Sequence, residues 1–167
     1  FMSRTQERQL TIQVDTRCHQ IPGFIDKAAR AGVGRAYIGL ENINPENLKA
    51  VNKSQNQISE YRTMLQMWKQ RGVITYAGFI VGFPNDTRES ILRDLETIKR
   101  ELPVDILEIS FLTPLPGSAD HKALYETSAW MDPDLNQFDL DHRVTRHPVM
   151  SDEEYEGVYN DAWARFY

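Results

Sequence analysis

The sequence has one cysteine, Cys18, among 167 residues. A single thiol can form neither an internal disulfide nor a metal site made of several cysteines. The longest apolar run covers residues 77–83, far short of the roughly 20 residues that a membrane span requires. The first eight residues are polar and lack the apolar core of a signal peptide. These absences make the cytoplasm the expected compartment.

The chain also lacks a strong excess of one charge. It carries 19 basic and 24 acidic residues without a basic block, which excludes an electrostatic nucleic-acid or anionic-membrane binder. Hydrophobic residues make up 41% of the chain, enough for the core of one domain or of part of a larger one. Because Phe1 precedes Met2, we expect the sequence to begin either with a residue left by cloning or inside a longer protein.

Strand-like and helical patterns alternate along the chain. Apolar or alternating segments predict four strands near residues 9–15, 35–41, 73–82 and 104–112. Helical spacing predicts helices over 21–29, from Pro45 to Val51, over 58–68, after a capping-box pattern of Asp86 and Glu89, and within 118–128. This alternation predicts an α/β fold whose four strands are parallel and lie in sequence order, joined by helical crossovers.

The last part of the sequence has a different pattern. Residues 129–150 show no clean period and are interpreted as an extended loop, and Ser151 begins a final amphipathic helix. We therefore divide the chain into 1–128, a sheet-and-helix unit, and 129–167, a C-terminal extension. The many aromatic residues of this extension favour docking against the first unit over base stacking, because few basic residues lie among them.

Polar and conformationally special residues follow each predicted strand, where parallel α/β folds place their sites. Glu41 could accept hydrogen bonds from a ribose hydroxyl or an amino group, or form a salt bridge or helix cap. Arg17 could bind a carboxylate or phosphate, or lie solvated on the surface. Gly78 and Gly82, on either side of Ile80, indicate either close approach of a ligand or close packing.

Other candidates are weaker. Thr113 and Pro114 lie in a stiff turn whose carbonyl groups are free to accept hydrogen bonds. Cys18 is interpreted as a small buried apolar residue rather than a nucleophile. His142 and His147 are five residues apart, which does not match helical metal-ligand spacing. A hydrogen-bonded tail that packs on the sheet-and-helix unit explains them better.

Four segments, in this order, resemble motifs of the radical S-adenosylmethionine (SAM) superfamily over roughly residues 9–120. They are Val14-Asp15-Thr16-Arg17; Ile38-Gly39-Leu40-Glu41-Asn42 with Leu48, Asn52 and Lys53; Gly78-Phe79-Ile80-Val81-Gly82-Phe83-Pro84-Asn85-Asp86-Thr87; and Leu112-Thr113-Pro114-Leu115-Pro116-Gly117-Ser118. The tail over 146–151 is most similar to cobalamin-binding members of the anaerobic magnesium-protoporphyrin ester cyclase type.

The resemblance implies the C-terminal part of a partial, TIM-like (β/α) barrel with about four parallel strands and a helical extension. The full-length enzyme would bind SAM and a 4Fe–4S cluster, with cobalamin as a further cofactor of this subfamily, and would generate a 5′-deoxyadenosyl radical. By the family pattern, Glu41 would contact the SAM ribose or amino group. The other cofactor-binding positions would be Arg17, Gly78, Ile80, Gly82, Thr113 and Pro114. Asn85 stands where the family often has Glu, so no role is assigned to it.

The family's CxxxCxxC motif is absent from this sequence. We therefore expect a fragment that is itself inactive, with a first strand whose exposed edge promotes self-association or is covered by the N-terminal residues. A standalone partial-barrel binding or scaffold module would also explain the missing cysteines. A small metal hydrolase using Glu41, Asp86 and His142 is a third hypothesis, although the ligand spacing is wrong.

The cysteine count generates a test. Because Fe–S clusters of this kind need several thiolate ligands, the purified chain should bind no stoichiometric 4Fe–4S cluster after anaerobic reconstitution with iron and sulfide. It should form no 5′-deoxyadenosine from SAM under reducing conditions. Iron analysis and chromatography of the products measure both. One cluster per chain together with 5′-deoxyadenosine would contradict the expectation.

Overall fold

Four parallel strands form the single sheet of the computed structural model, which describes residues 9–50 and 58–167. They are β1 (Leu10–Val14), β2 (Val33–Glu41), β3 (Ile74–Val81) and β4 (Ile106–Phe111). Their spatial order is β1-β2-β3-β4, and each neighbouring pair is parallel. The predicted strands and their order are confirmed, as is the α/β class.

Helices connect the strands and follow the sheet. They are α1 (Phe24–Arg30), α2 (Pro45–Ala50), α3 (Ile58–Gln70), α4 (Arg88–Glu101), α5 (Ala119–Glu126) and α6 (Asp152–Phe166). Short 3-10 turns lie at Cys18–Gln20 and Leu135–Gln137, which the sequence did not indicate. The predicted roles of Val51, Asn52 and Lys53 lie outside the described residues. No helix within the described residues is long and apolar enough to cross a membrane.

The sheet has one helix-covered face and one open face. Alternate residues of β2, β3 and β4 are fully buried and pack in the hydrophobic core with the apolar sides of α3, α4 and α6. The strand residues between them are half-buried or exposed. Because neighbours in register share a face, rows such as Gly39, Gly78 and Glu108 run side by side across the open face. This face corresponds to the inner surface of a partial barrel, because the helices of such a barrel lie on its outside.

The N-terminus of α4 corrects the predicted capping box. Thr87, not Asp86, is the N-cap, and its hydroxyl accepts from the amide of Ser90 while the Ser90 hydroxyl accepts from the amide of Thr87. The Asp86 carboxylate instead accepts from the amides of Gly82 and Phe83. The carboxylate is therefore committed to the turn before the helix, which leaves the capping to Thr87.

Residues 129–150 form a loop as predicted, but the loop is tied to the rest of the chain. An isolated antiparallel bridge pairs Met131 with Thr145. His147 is 8% exposed, and its Nε2 donates to the carbonyl of Phe83 over 2.8 Å while its Nδ1 accepts from the amide of Met150. The prediction that His147 belongs to a hydrogen-bonded tail is confirmed. His142, by contrast, lies exposed beside Asp139.

Helix α6 docks through Tyr155 onto the end of β3. The hydroxyl of Tyr155 donates to the carbonyl of Val81 over 3.2 Å, and its ring packs edge-on against Phe111. Gly82, with φ +99°, leaves the space that this hydroxyl occupies, because a Cβ built on Gly82 would overlap it. Two interpretations of Gly82 were open, close approach of a ligand and close packing. The structure shows close packing against α6.

The two edges of the sheet differ. At β4 part of the outer edge is occupied: the Tyr167 hydroxyl donates to the carbonyl of Leu107 and accepts from its amide, and the amide of Phe111 donates to the carbonyl of Leu140. At β1 no strand within residues 9–50 and 58–167 lies on the outer side. Leu10 on this strand is 43% exposed. The residues that could fold back over this edge, 1–8, lie outside the described part.

Self-association should therefore proceed through β1 and not through β4, because unpaired strand edges recruit other chains. Light scattering over a concentration series should show a dimer or larger species. Placing lysines on the exposed positions Thr11 and Gln13 should shift the chain to a monomer, whereas Gln66→Lys on the exposed side of α3 should not. A wild-type chain that stays monomeric at high concentration would refute this prediction.

The Gly82–Tyr155 contact predicts a large loss of stability on substitution. Gly82→Ala should lower the free energy of unfolding by about 3 kcal/mol or more, because overpacking adds to the cost of a positive φ. Gly117 is the matched control: it has φ +91° but nothing near the position of a Cβ, so Gly117→Ala should cost only about 1 kcal/mol. Urea unfolding measures both, and equal losses would show that the contact with Tyr155 is unimportant.

Candidate functional site

Glu41 has a strained backbone at the carboxyl end of β2. Its φ is +65°, in the left-handed region that side chains other than glycine seldom adopt. The register between β2 and β3 shifts at the same point, since Gly39 pairs with Gly78 and Glu41 pairs with Phe79. Such a bulge redirects a side chain, and strain of this kind concentrates at functional sites. Pairing with β3 therefore sets the direction of the Glu41 carboxylate.

A cavity of about 270 Å³ lies beside this carboxylate. Its lining consists of Gln13, Val14 and Asp15 from the end of β1, with Gly39 and Glu41 from β2. A groove of about 480 Å³ adjoins it, because Gln13, Val14 and Asp15 border both. This arrangement presents acceptor oxygens to a ligand that carries hydroxyl or ammonium groups.

Arg17 lies on the rim of the adjoining groove. It is exposed, and its Nε donates to Oε1 of Gln20 over 3.1 Å. The structure thus brings Arg17 near the Glu41 cavity through the shared end of β1. Its side chain has the contacts expected of a surface arginine.

Gly78 and Ile80 lie on the open face of β3. Ile80 is half-buried and pairs in register with Ser110. The space over Gly78 is partly filled, because a Cβ built there would lie 3.2 Å from the hydroxyl oxygen of Tyr37. The Tyr37 phenol crosses the strand at this point toward Glu108 on β4. Burial and its hydrogen bond with Glu108 raise the pKa of Tyr37 to about 12.

Thr113 and Pro114 line a pocket at the carboxyl ends of β3 and β4. Its volume is about 360 Å³. Pro114 is buried, and the Thr113 hydroxyl donates to the carbonyl of Phe111 over 3.1 Å. Phe83 and Pro84, which follow Gly82, form the opposite side. The predicted residues therefore fall into two groups, one around Glu41 and Arg17 and one around Thr113 and Pro114, with Gly78 and Ile80 on the open face of β3.

Asp86 organises the turn between these groups. The residue is 1% exposed, and its carboxylate accepts from the amides of Gly82 and Phe83, each over 2.9 Å, and from Nδ2 of Asn47 over 2.6 Å. Burial raises the pKa of Asp86, against the lowering effect of these three donors. The hydrogen bonds hold the turn in one conformation, so Asp86 has a structural role that excludes it from metal binding.

Cys18 is a buried structural residue, and the candidate metal ligands do not come together in the described part of the chain. Cys18 is 5% exposed, and burial raises the pKa of its thiol, which disfavours the reactive thiolate. In the part of the chain that the structure describes, no three His, Cys, Asp or Glu side chains are grouped so that they could hold a metal ion. The hypothesis of a metal hydrolase using Glu41, Asp86 and His142 is therefore wrong for the described residues.

Three residues of this region were not singled out for these roles by the sequence. Tyr37 and Glu108 meet only because β2, β3 and β4 are adjacent, so no local pattern could reveal them. Asp86 appeared as a helix cap, although the Gly-Phe-Pro turn before it offered two amides within reach. An Asp that follows a turn by a few residues is a common partner of turn amides, and this signal was available.

Comparison with known proteins gives related sequences. The chain is 27% identical over 141 residues to bacteriochlorophyllide d C-12(1)-methyltransferase of Chlorobaculum tepidum, a match that covers 83% of the chain and 28% of that protein. It is 32% identical over 89 residues to anaerobic magnesium-protoporphyrin IX monomethyl ester cyclase of Rubrivivax gelatinosus, covering 53% and 16%. The chain thus spans 28% of the length of the first relative and 16% of the second.

Solved structures show the same fold. Coproporphyrinogen III oxidase (HemN) from Escherichia coli, a radical SAM enzyme, matches 94% of the chain and 31% of its own length with a TM-score of 0.69 and 21% identity. The radical SAM methyltransferase TsrM from Kitasatospora setae, solved with cobalamin and a 4Fe–4S cluster, matches 62% and 20% with a TM-score of 0.53 and 19% identity.

The sequence model of the radical SAM superfamily matches residues 2–98, more than half of the chain. This range contains the strained Glu41 and the strand with Gly78 and Ile80. The chain belongs to the radical SAM superfamily, whose members use SAM and a 4Fe–4S cluster.

Proposed function

We propose that this chain is the SAM-binding C-terminal part of a radical SAM core whose full-length protein is an enzyme. The observation that carries the proposal is the backbone of Glu41: a positive φ at a bulge on the carboxyl end of a parallel strand, beside a cavity. A standalone scaffold without a ligand gives no reason for strain at this residue. A ligand site that needs the Glu41 carboxylate in one direction gives a reason for this strain.

The residues present fit SAM. The carboxylate of Glu41 would accept from a ribose hydroxyl or the ammonium group of the methionyl part. Ile80, half-buried on the open face, would pack on the adenine, and Gly78 and Gly82 would contribute only backbone, since tyrosines occupy their side-chain space. Thr113 and Pro114 would line the edge of the adenine. Arg17, on the rim of the groove, would be a peripheral contact.

The chain's residues do not fit the cluster. Its single thiol is buried and protonated, and cluster ligation needs several thiolates. The cluster ligands would therefore belong to residues outside this sequence, and the chain by itself would be inactive. In the complete enzyme, SAM that receives one electron from the cluster would supply hydrogen-atom abstraction. The contribution of this chain is to bind SAM and to fix its orientation on the open face.

The relatives indicate the wider chemistry of the full-length protein. Two of them act on tetrapyrroles by name, and TsrM was solved with cobalamin. We infer a small-molecule substrate for the full-length protein and cobalamin as a further cofactor bound outside this chain. Residues 1–128 would form the C-terminal portion of the core barrel and 129–167 an extension that closes over its carboxyl end, an arrangement supported by the bond from His147 to Phe83.

Replacing Glu41 tests the proposal. In the full-length protein Glu41→Ala should weaken SAM binding by about ten- to a hundredfold, because a hydrogen bond to a charged group contributes about 1.5–3 kcal/mol. The substitution should weaken folding less than it weakens SAM binding, because it removes no core packing. Equilibrium dialysis with labelled SAM and thermal unfolding measure the two effects.

Glu126, an exposed carboxylate on α5, provides the control. Glu126→Ala removes the same charge and should leave SAM affinity unchanged. Unchanged affinity in both variants would reject the role of Glu41 and would favour the binding or scaffold module.

A further inference from the structure

A groove of about 680 Å³ lies between α5 and the loop that follows this helix. We call it the α5 groove. It shares no lining residue with the cavities around Glu41 and Thr113. Most of its lining is apolar and consists of Tyr125, Ala129, Met131, Pro133, Leu135 and Phe138.

Contacts within the chain fix the helical wall of the α5 groove. The ring of His121 on α5 meets the ring of Phe138 at 62°, with the two centroids 6.0 Å apart. Phe138 is 8% exposed, so this contact forms the buried part of the groove. After α5 the chain turns at Ser128, whose φ is +53° and whose amide donates to the carbonyl of Tyr125. The helix and the loop therefore face one another across the groove.

The opposite wall is fixed by carboxylates that bond to their own turn. The Asp132 carboxylate accepts from the amide of Asp134 over 2.8 Å, and the Asp134 carboxylate accepts from the amide of Asn136 over 2.9 Å. Met131 is held by its bridge to Thr145. A surface that is built in advance loses little conformational entropy when a partner binds to it.

Two apolar side chains are exposed on these walls. Tyr125 is 74% exposed and Leu135 is 64% exposed. Scattered exposed apolar residues are ordinary, but these two border one groove together with Met131 and Pro133. None of the four strands that the structure describes borders the groove, so a partner gains no strand edge to pair with. An amphipathic helix that inserts apolar side chains into the groove fits this surface best.

The charge around the groove identifies the kind of helix. Residues 119–141 carry six carboxylates and one lysine. That lysine, Lys122, lies 3.7 Å from the carboxylate of Glu126. The other carboxylates belong to Asp120, Asp132, Asp134, Asp139 and Asp141. A surface of this sign attracts cationic side chains and repels nucleic acids and anionic membranes.

We propose that the α5 groove is a docking site for a separate polypeptide that presents a basic amphipathic helix. Apolar side chains of that helix enter the groove between Tyr125 and Leu135, and its lysines or arginines face the carboxylates around it. A second copy of this chain fits less well, because the chain has a net charge of −5 and like charges repel. The inference does not depend on SAM binding.

Three synthetic peptides test the site. The first is about 14 residues long, with leucines at helical spacing and lysines elsewhere. The second has the same composition in scrambled order, and the third has glutamate in place of lysine. In an amide NMR titration of this chain, the first peptide should bind with a dissociation constant on the order of 100 μM, with shifts at residues 121–138.

The other two peptides measure what the groove recognises. The scrambled peptide should bind about tenfold more weakly, because it keeps the charge and loses the apolar face. The glutamate peptide should not bind. Equal affinities for the first two peptides, or shifts spread over other surfaces, would overturn the proposal.

Matched substitutions separate the groove from other apolar surface. Tyr125→Ser and Leu135→Ser should each weaken binding of the first peptide by about tenfold, because each removes an apolar side chain that the helix contacts. Val149→Ser is the control, since Val149 is 60% exposed and lies outside the lining. It should leave the affinity unchanged. Full affinity in both Tyr125→Ser and Leu135→Ser would contradict the site.

A second pair of variants tests the charge. Asp132→Asn combined with Asp134→Asn keeps an acceptor oxygen for each turn and removes two charges, so binding should weaken and depend less on salt. Glu89→Gln combined with Glu96→Gln removes two exposed charges from α4 and should do neither. Equal weakening in both double variants would show attraction to net charge alone and would contradict the site.

The full-length protein identifies the occupant of the groove. The first peptide should bind it as it binds this chain, and Glu41→Ala should leave that binding unchanged, whatever the substitution does to SAM. Loss of peptide binding in the full-length protein would show that another part of that protein covers the groove, which would overturn the separate partner. Dimerisation of this chain that Tyr125→Ser abolishes would assign the groove to a second copy and would also overturn it.

Discussion

The carboxylate of Asp86 is the constraint on which the carboxyl end of the sheet depends. It joins the turn after β3 to α2, because it accepts from the two turn amides and from Asn47. The next residue, Thr87, begins α4. The turn that Asp86 holds presents Gly82 to Tyr155 and the Phe83 carbonyl to His147. The extension that follows β4 is thus anchored on a turn that one buried side chain shapes.

The same residue imposes an electrostatic cost. A buried carboxylate is destabilised by desolvation, which raises its pKa. Three hydrogen bonds to its charged form offset this in part. The effect extends to α4, where burial and the nearby charge of Asp86 raise the pKa of Asp94 to about 6. Such a cost is retained where a loop conformation matters more than stability, which fits a turn between two candidate ligand sites.

Much of the fold could be predicted from the sequence because its signals are local. The apolar run of β3 and the stripe over 58–68 follow from burial on the helix-covered side, and the four strands lie within two residues of their predicted bounds. Ser151 was readable as a cap because Glu154 follows at the capping-box distance. The predicted N-cap of α4 was wrong because two plausible cap residues, Asp86 and Thr87, are adjacent.

The site was less predictable because its features depend on residues far apart in sequence. The direction of Glu41 is set by its pairing with Phe79, and the space over Gly78 is set by Tyr37. The two glycines looked equivalent in sequence, yet Gly82 accommodates a helix more than seventy residues further on. The family resemblance supplied candidate positions, whereas only the packed structure shows what each one contacts.

The contrast between the two faces of the sheet explains why the proposed function is assigned to only one of them. Helices α3, α4 and α6 bury the apolar strand residues, so substitutions there act on stability. The open face carries Gln13, Tyr37, Tyr76, Glu108 and Ser110, a polar composition that core packing does not require. Tyr37 bridges from β2 to Glu108 on β4 across Gly78, which limits how deeply a ligand can enter between these strands. A ligand on this face, as proposed, would therefore be held toward the carboxyl ends of the strands, where Glu41 and the pocket lined by Thr113 and Pro114 lie.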